Sequence, residues 1–421
     1  MKQPVAGRLA GTRSGRPAAV LFALVAVIAW LTTGGPSALA GPGKGPVRPI
    51  GELAPSASEA AGRPLVLAYY YIWYEPRSWD RAKTDLPQLG PYSSADPAVI
   101  AQHVAWAKAA GIDALIVSWK HELRLDEPLV ALVAASRSAG LGLVLLYQGL
   151  DFSRQPLHSQ RIADDLAWFM HAYGADPVFD VFGAPTIILS GTPSFSIEDI
   201  TTVRDAVLGA GPAHFLGSEH SGDDYAARRD VLDGDAYYWS SVDPDRDRGY
   251  SDRLTALAAS IRDDGGLWIA PAAPGFDARL IGGTRVVERA DGATYRVEWT
   301  TALSSDPDAL GIISWNEFSE NSHIEPSREL GTTYLTATAG LVRETLGRPT
   351  RLNPADATAG PLAPSPTAAP SPTPAPAVSE PGPTAVVDQI APLLVALLLL
   401  LALAILARRS RAPASADPPI E

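Results

Sequence analysis

Between about residue 65 and residue 346 the chain alternates between two kinds of stretch. Short apolar, β-branched and aromatic runs begin at Leu65 (LVLAYYYIWY), Asp113 (DALIVSW), Leu141 (LGLVLLYQG) and Pro185 (PTIILSG). They continue at His214 (HFLGSEH), Ala236 (AYYWSS), Leu267 (LWIAPAAPGFD) and Gly311 (GIISWNEF). Stretches with apolar positions at helical spacing follow, as over residues 97–110, 128–139, 162–173 and 251–264. Asp96-Pro97 has the form of an N-cap with proline at the first helical position, and Gly111 that of a stop. Strands that are apolar throughout belong to parallel sheets covered on both faces. Eight strand–helix units in ~250 residues match a (β/α)8 TIM barrel, predicted here as a single catalytic domain over residues 65–350. A doubly wound open sheet is the competing arrangement. No G-x-G-x-x-G follows the first run, so a dinucleotide fold has no support.

The flanks read differently. Residues 1–40 carry Lys2, Arg8, Arg13 and Arg16, then an apolar run and Ala38-Leu39-Ala40, the pattern of a signal peptide. Residues 41–64 are a Gly/Pro-rich entry segment. Residues 351–388 are rich in Pro, Ala, Ser and Thr, which favours an extended stalk with no core of its own. Residues 389–407 are almost wholly apolar and long enough to span ~30 Å of hydrocarbon as a helix. Arg408, Arg409 and Arg411 follow, so residues 408–421 are expected to be a cytoplasmic tail. The expectation is a single-pass cell-membrane protein, a monomer, with its catalytic domain outside.

Charge and composition narrow the function. A formal net charge of −12 argues against a nucleic-acid partner. The chain has no cysteine, so neither disulfides nor thiolate metal sites arise. No His/Asp/Glu spacing forms a convincing metal site, no cofactor is called for, and G-x-S-x-G is absent. Ten Trp and thirteen Tyr suit sugar rings and protein cores alike.

Barrels carry their chemistry at the C-terminal ends of the strands. Those ends hold Tyr71 and Trp73, then Trp119, Tyr238, Asp277 with Arg279, and finally WNEFSENSHIEPS from Trp315. Carboxylates, aromatics and amides together have the composition of a sugar site. Glycosidic bond cleavage needs two carboxyl functions, and Glu317 and Glu320 lie three residues apart as the chain leaves the last strand. Both face one cavity if the backbone turns there, and opposite faces if it runs straight. A solvated surface pair is the plain alternative.

At these residues the chain resembles glycoside hydrolase family 99, the endo-α-1,2-mannosidase and mannanase family, and its family-99-like relatives. The resemblance is carried, in order, by LAYYYIWY, GPYSSADP, AGIDALIVSW, PGFD, DGATYRVEW and WNEFSENSHIEP. It implies that Glu317 acts as base and Glu320 as acid in a retaining reaction without a protein nucleophile. In that reaction the sugar's own 2-hydroxyl forms a 1,2-anhydro intermediate. It further implies that Glu320 has a raised pKa while Glu317 stays ionised, with Asn316, Tyr71, Trp73, Trp119, Tyr238, Asp277 and Arg279 around the glycan. The family pattern Asn-Glu-Trp-His-Glu-Gly-Thr is replaced by Asn316-Glu317-Phe318-Ser319-Glu320-Asn321-Ser322, and Lys120 stands where a second Trp is usual. Both carboxylates survive, so these departures bear on the substrate rather than the chemistry. The expectation is an α-linked, mannan-like glycan, with a surface-polysaccharide-processing or transferase-type enzyme and a non-catalytic glycan-binding domain as the rivals.

Overall fold

The computed structural model describes residues 62–352, apart from 152, 240–242 and 244–245. The predicted signal peptide, most of the stalk, the apolar span and the tail lie outside the described residues. Among the described residues no helix is long and apolar enough to cross a membrane.

Eight parallel strands form the barrel. In chain order they are β1 (Leu65–Tyr71), β2 (Ala114–Trp119), β3 (Gly142–Gln148), β4 (Thr186–Ser190), β5 (His214–Leu216), β6 (Gly234–Ala236), β7 (Leu267–Ala272) and β10 (Ala309–Ile312). The sheet runs β5-β4-β3-β2-β1-β10-β7-β6. A bridge between Gly217 and Asp235 joins its two ends, with Gly217 N–H donating to Gly234 O at 3.1 Å and Ala236 N–H to Gly217 O at 3.0 Å. The barrel expectation holds and the open sheet is excluded.

Helices cover the strands: α1 (Pro97–Ala110), α2 (Leu123–Ala139), α3 (Ser159–Tyr173), α4 (Ile197–Ala210), the short α5 (Gly222–Ala226), α6 (Tyr250–Asp263), α7 (Ala293–Ser304) and α8 (Thr333–Leu346). Helix α1 begins and ends where its sequence signals lie. Asp96 accepts from Ala98 N–H, and Gly111 closes the helix at φ 86°, where a side chain would be strained. Helix α2 starts earlier than expected, and Pro128 sits inside it. Leu125 and Leu129 are both buried on it, so burial of that face carries the helix past the proline.

The seventh run is not one strand. It stops at Ala272, and Phe276–Asp277 forms a separate strand β8, antiparallel to β9 (Val286–Val287). The chain returns to the barrel at its end. Arg348 pairs with Asp113 at 2.6 Å, and the Arg351 and Leu352 N–H groups donate to Ala109 O.

Candidate active site

Strand β10 stops at Ile312, and the next residues fold back rather than running on. Glu317 N–H donates to Ser314 Oγ at 2.8 Å. Ser322 N–H returns to Glu317 O at 3.3 Å, and Asn321 adopts φ 51° to complete the turn. A straight strand would part the two carboxylates, whereas this turn brings both toward one pair of phenols. Tyr71 and Tyr238 share a 2.6 Å hydrogen bond between hydroxyls. Burial holds both phenols well above the ordinary tyrosine value, and the charges of Glu320 and Glu317 add to the rise in each.

The wall beside them is aromatic. Tyr71 stacks on the half-buried Trp73 with centroids 4.3 Å apart, and Tyr69 meets Tyr238 edge-on at 4.8 Å. Stacked and edge-on geometries of this kind fix the rings relative to one another.

The two carboxyls have different surroundings. Glu317 is buried, and burial pushes its pKa up. Against that, its Oε1 accepts from Ser319 N–H at 3.0 Å and from the Tyr74 hydroxyl at 3.3 Å, and the charge of Lys83 pulls in the same direction. These donors support the ionised form. Glu320 is pushed up to about 7 by burial, then by the charge of Glu317, with only Arg154 opposing. When one proton is present on the pair, Glu320 is the better place for it. Burial raises Glu317 too, and the asymmetry of the pair comes from the hydrogen bonds and the Lys83 charge that oppose that rise.

No protein-family model matches the chain. A glycoprotein endo-α-1,2-mannosidase-like protein of Danio rerio is 24% identical, the match covering 61% of this chain and 63% of that protein. A glycoprotein endo-α-1,2-mannosidase of Rattus norvegicus is likewise 24% identical, with 59% and 58% covered. The chain thus spans about three fifths of the length of these curated relatives. Among solved structures, the family-99 endo-α-mannosidase of Bacteroides thetaiotaomicron superposes with a TM-score of 0.58 at 20% identity, over 66% of this chain and 96% of that one. The chain is similar to endo-α-1,2-mannosidases in sequence and to a family-99 enzyme in fold.

The other predicted site residues divide. Tyr71, Trp73 and Tyr238 gather near the carboxylates, as described. Trp119 does not. It is 1% exposed, donates its indole N–H to Asp126 at 2.9 Å and packs against Trp168 and Phe169 of α3. Its side chain fills the layer between β2 and the helices, so its assignment to the glycan is withdrawn. Asn316 is also corrected. Wholly buried, its amide accepts from Tyr71 N–H at 2.8 Å and donates to Tyr71 O at 2.9 Å and to the Tyr92 hydroxyl at 3.3 Å. It clasps β1 to the carboxylate turn instead of facing a ligand.

Asp277 and Arg279 sit on the β8–β9 hairpin. Asp277 N–H donates to Glu320 O at 2.7 Å, which docks the hairpin on the turn. The carboxylate of Asp277 is gripped by Arg279 at 2.9, 3.1 and 2.6 Å, and these bonds hold it below its ordinary value. Arg279, with 67% of its side chain exposed, is the member of the pair open to a ligand.

Two residues that support Glu317 were not assigned from sequence: Tyr74 and Lys83. Tyr74 lies inside the LAYYYIWY block, so a signal was present there. Lys83 stands in a polar stretch with none.

Proposed function

We propose that the protein is a retaining glycoside hydrolase acting on α-linked, mannose-containing glycan, with Glu317 as base and Glu320 as acid. The observation that carries this reading is the unequal pair of Glu317, buried, and Glu320, half-buried. Their charges act on the same two phenols, and one is supported in its ionised form while the other is favoured in its protonated form. Pairs whose surroundings push their pKa values apart divide acid and base roles between them. The likeness to endo-α-mannosidases supports the substrate class.

In the proposed sequence, ionised Glu317 takes the proton of the sugar 2-hydroxyl, and that oxygen bonds to C1. The C1–oxygen bond to the leaving sugar breaks, and the departing oxygen takes the proton of Glu320. Glu320, now ionised, then removes a proton from water as the water oxygen bonds to C1. The C1–O2 bond breaks, and O2 recovers the proton from Glu317. Configuration at C1 is inverted twice and so retained. Neither carboxylate bonds to the sugar.

We further place the barrel outside the cell, tethered by residues 389–407. The apolar run followed by arginines motivates this, and protease treatment of intact cells tests it: shedding of the barrel is expected, and full protection refutes it.

The activity is tested by incubating purified protein with α-1,2-linked mannan and α-glucan and identifying the products. Released oligosaccharide retaining the α-configuration is expected from one of them. Glu317→Gln and Glu320→Gln should each lose ~10²–10⁴-fold in turnover. Near-normal turnover by both variants, on a substrate the wild type cleaves, refutes the roles.

A further inference from the structure

A cavity opens at the mouth end of the barrel, beside the aromatic wall. It holds about 180 Å³, far beyond the ~10–15 Å³ that a single water needs. Residues 72–75 after β1, residues 93–95 ahead of α1 and the start of α2 line it. All three segments lie at the C-terminal ends of the strands, where the carboxylates also lie. The walls are fixed before any ligand arrives. Tyr74 N–H donates to Ser94 Oγ at 3.1 Å and Ser94 N–H to Tyr74 O at 2.8 Å, which ties the first two segments together. On α2, Arg124 pairs with Glu122 at 3.0 Å. Preformed concave sites of this kind are where small ligands bind.

Trp73 joins this cavity to the carboxylate site. Its indole stacks on Tyr71 at 4.3 Å and also lines the cavity. With the buried Ile72 and Pro128 it supplies the apolar surface. The rim is polar, with Glu75, Arg124 and Glu127 all exposed. Pro128 adds an acceptor to that wall. A proline has no N–H, so the Arg124 carbonyl four residues earlier lacks its usual helical partner. Apolar surface edged by donors and acceptors matches a sugar ring, whose C–H face is apolar and whose hydroxyls both donate and accept. An anion does not match. Two of the three rim charges are carboxylates, and the third, Arg124, is already paired with Glu122.

We propose that this cavity is a subsite for one neutral sugar unit of the glycan, remote from the bond that breaks and reached past Trp73, with Glu127 and Arg124 taking its hydroxyls. The proposal rests on the reading of the mouth as a glycan site and extends it. The subsite makes chain length a determinant of specificity, because only a glycan that runs on past Trp73 reaches it. Binding energy gained at a remote unit is spent on holding the reacting sugar in place, so the gain appears in kcat/KM.

The experiment takes α-mannose oligosaccharides of increasing length and reads kcat/KM for each that the wild type cleaves. The longest is expected to exceed the shortest by ~10-fold or more, the weight of one hydrogen bond to a charged group. Glu127 is exposed on α2, so replacements there spare the fold. Glu127→Ala removes the acceptor, and Glu127→Trp fills the cavity. Each should erase most of the ratio between longest and shortest. A wild-type ratio near one, or a ratio that survives in either variant, overturns the subsite. Where the wild type cleaves none of them, the proposed activity fails on its own, and calorimetric titration with the same oligosaccharides tests the cavity. The longest should then bind ~10-fold tighter than the shortest in the wild type but not in Glu127→Trp, and equal affinities in the wild type overturn the subsite.

Discussion

Replacing Glu320 by glutamine should make the protein more stable in alkali, and the size of the gain follows from the site. Burial and the neighbouring Glu317 charge raise Glu320 from 4.5 to about 7. A folded-state value above the unfolded one means the fold prefers the protonated carboxyl. The stabilisation is therefore complete below pH 4.5 and is lost as the pH climbs through about 7. The gap corresponds to about 3 kcal/mol. Glu320→Gln keeps the shape and has no proton to lose, and it also relieves Glu317 of a like charge. Thermal unfolding of both proteins from pH 4 to 9, followed by circular dichroism, should give similar midpoints at the acid end. In alkali the variant should lead by on the order of 5 °C. Glu298, pushed up to about 8 by burial, titrates in both proteins and cancels in the difference. Curves that stay parallel across the range would refute the buried, charge-coupled placement of Glu320.

With Glu320 in the proposed role of acid, turnover should fall as the pH rises through about 7, where its proton is lost; a pH profile of kcat/KM checks this, and an alkaline limb unchanged in Glu320→Gln contradicts it. Trp119→Ala should destabilise the fold by about 3–5 kcal/mol in urea unfolding while leaving KM near normal, because Trp119 packs on α3 rather than lining the site. Arg279→Ala should raise KM with little change in kcat if the exposed guanidinium holds glycan away from the bond that breaks. Truncation after Leu352 should leave the barrel's melting point intact, whereas truncation after Leu346 should lower it by removing the Arg348–Asp113 pair.

The features most legible in the sequence were those written locally. Asp96-Pro97 and Gly111 bound α1 to the residue, because capping and left-handed backbone are decided by the few residues concerned. The eight apolar runs identified the barrel, because strands enclosed by helices have no polar face to display. What local pattern could not give was direction. Trp119 ends β2 as Tyr71 ends β1, yet one turns toward the helices and the other toward the mouth, and only the register between strands decides which. Asn316 looked like a ligand donor because amides bind sugars, but the proximity of the β1 backbone, 245 residues earlier in the chain, engages it instead. PAAPGFD read as part of one long run because nothing in it marks Ala272 as the last residue paired in the barrel.

The seam between β5 and β6 gives the ring of strands a weakest stave. Elsewhere neighbouring strands share registers of up to six residue pairs, as between β2 and β3, while this seam has the single Gly217–Asp235 bridge. On its other side β6 is held closely to β7, where a Cβ on Gly234 would lie 2.1 Å from Leu267 O. Few backbone hydrogen bonds have to break for β5 and β6 to part, so amide exchange at Gly217 and Ala236 should outpace that in β2 and β3. Tyr238 stands two residues beyond this line. Parting along this line would therefore displace Tyr238 from its contact with Tyr71 while leaving the β1–β10 pairing that carries the carboxylate turn intact.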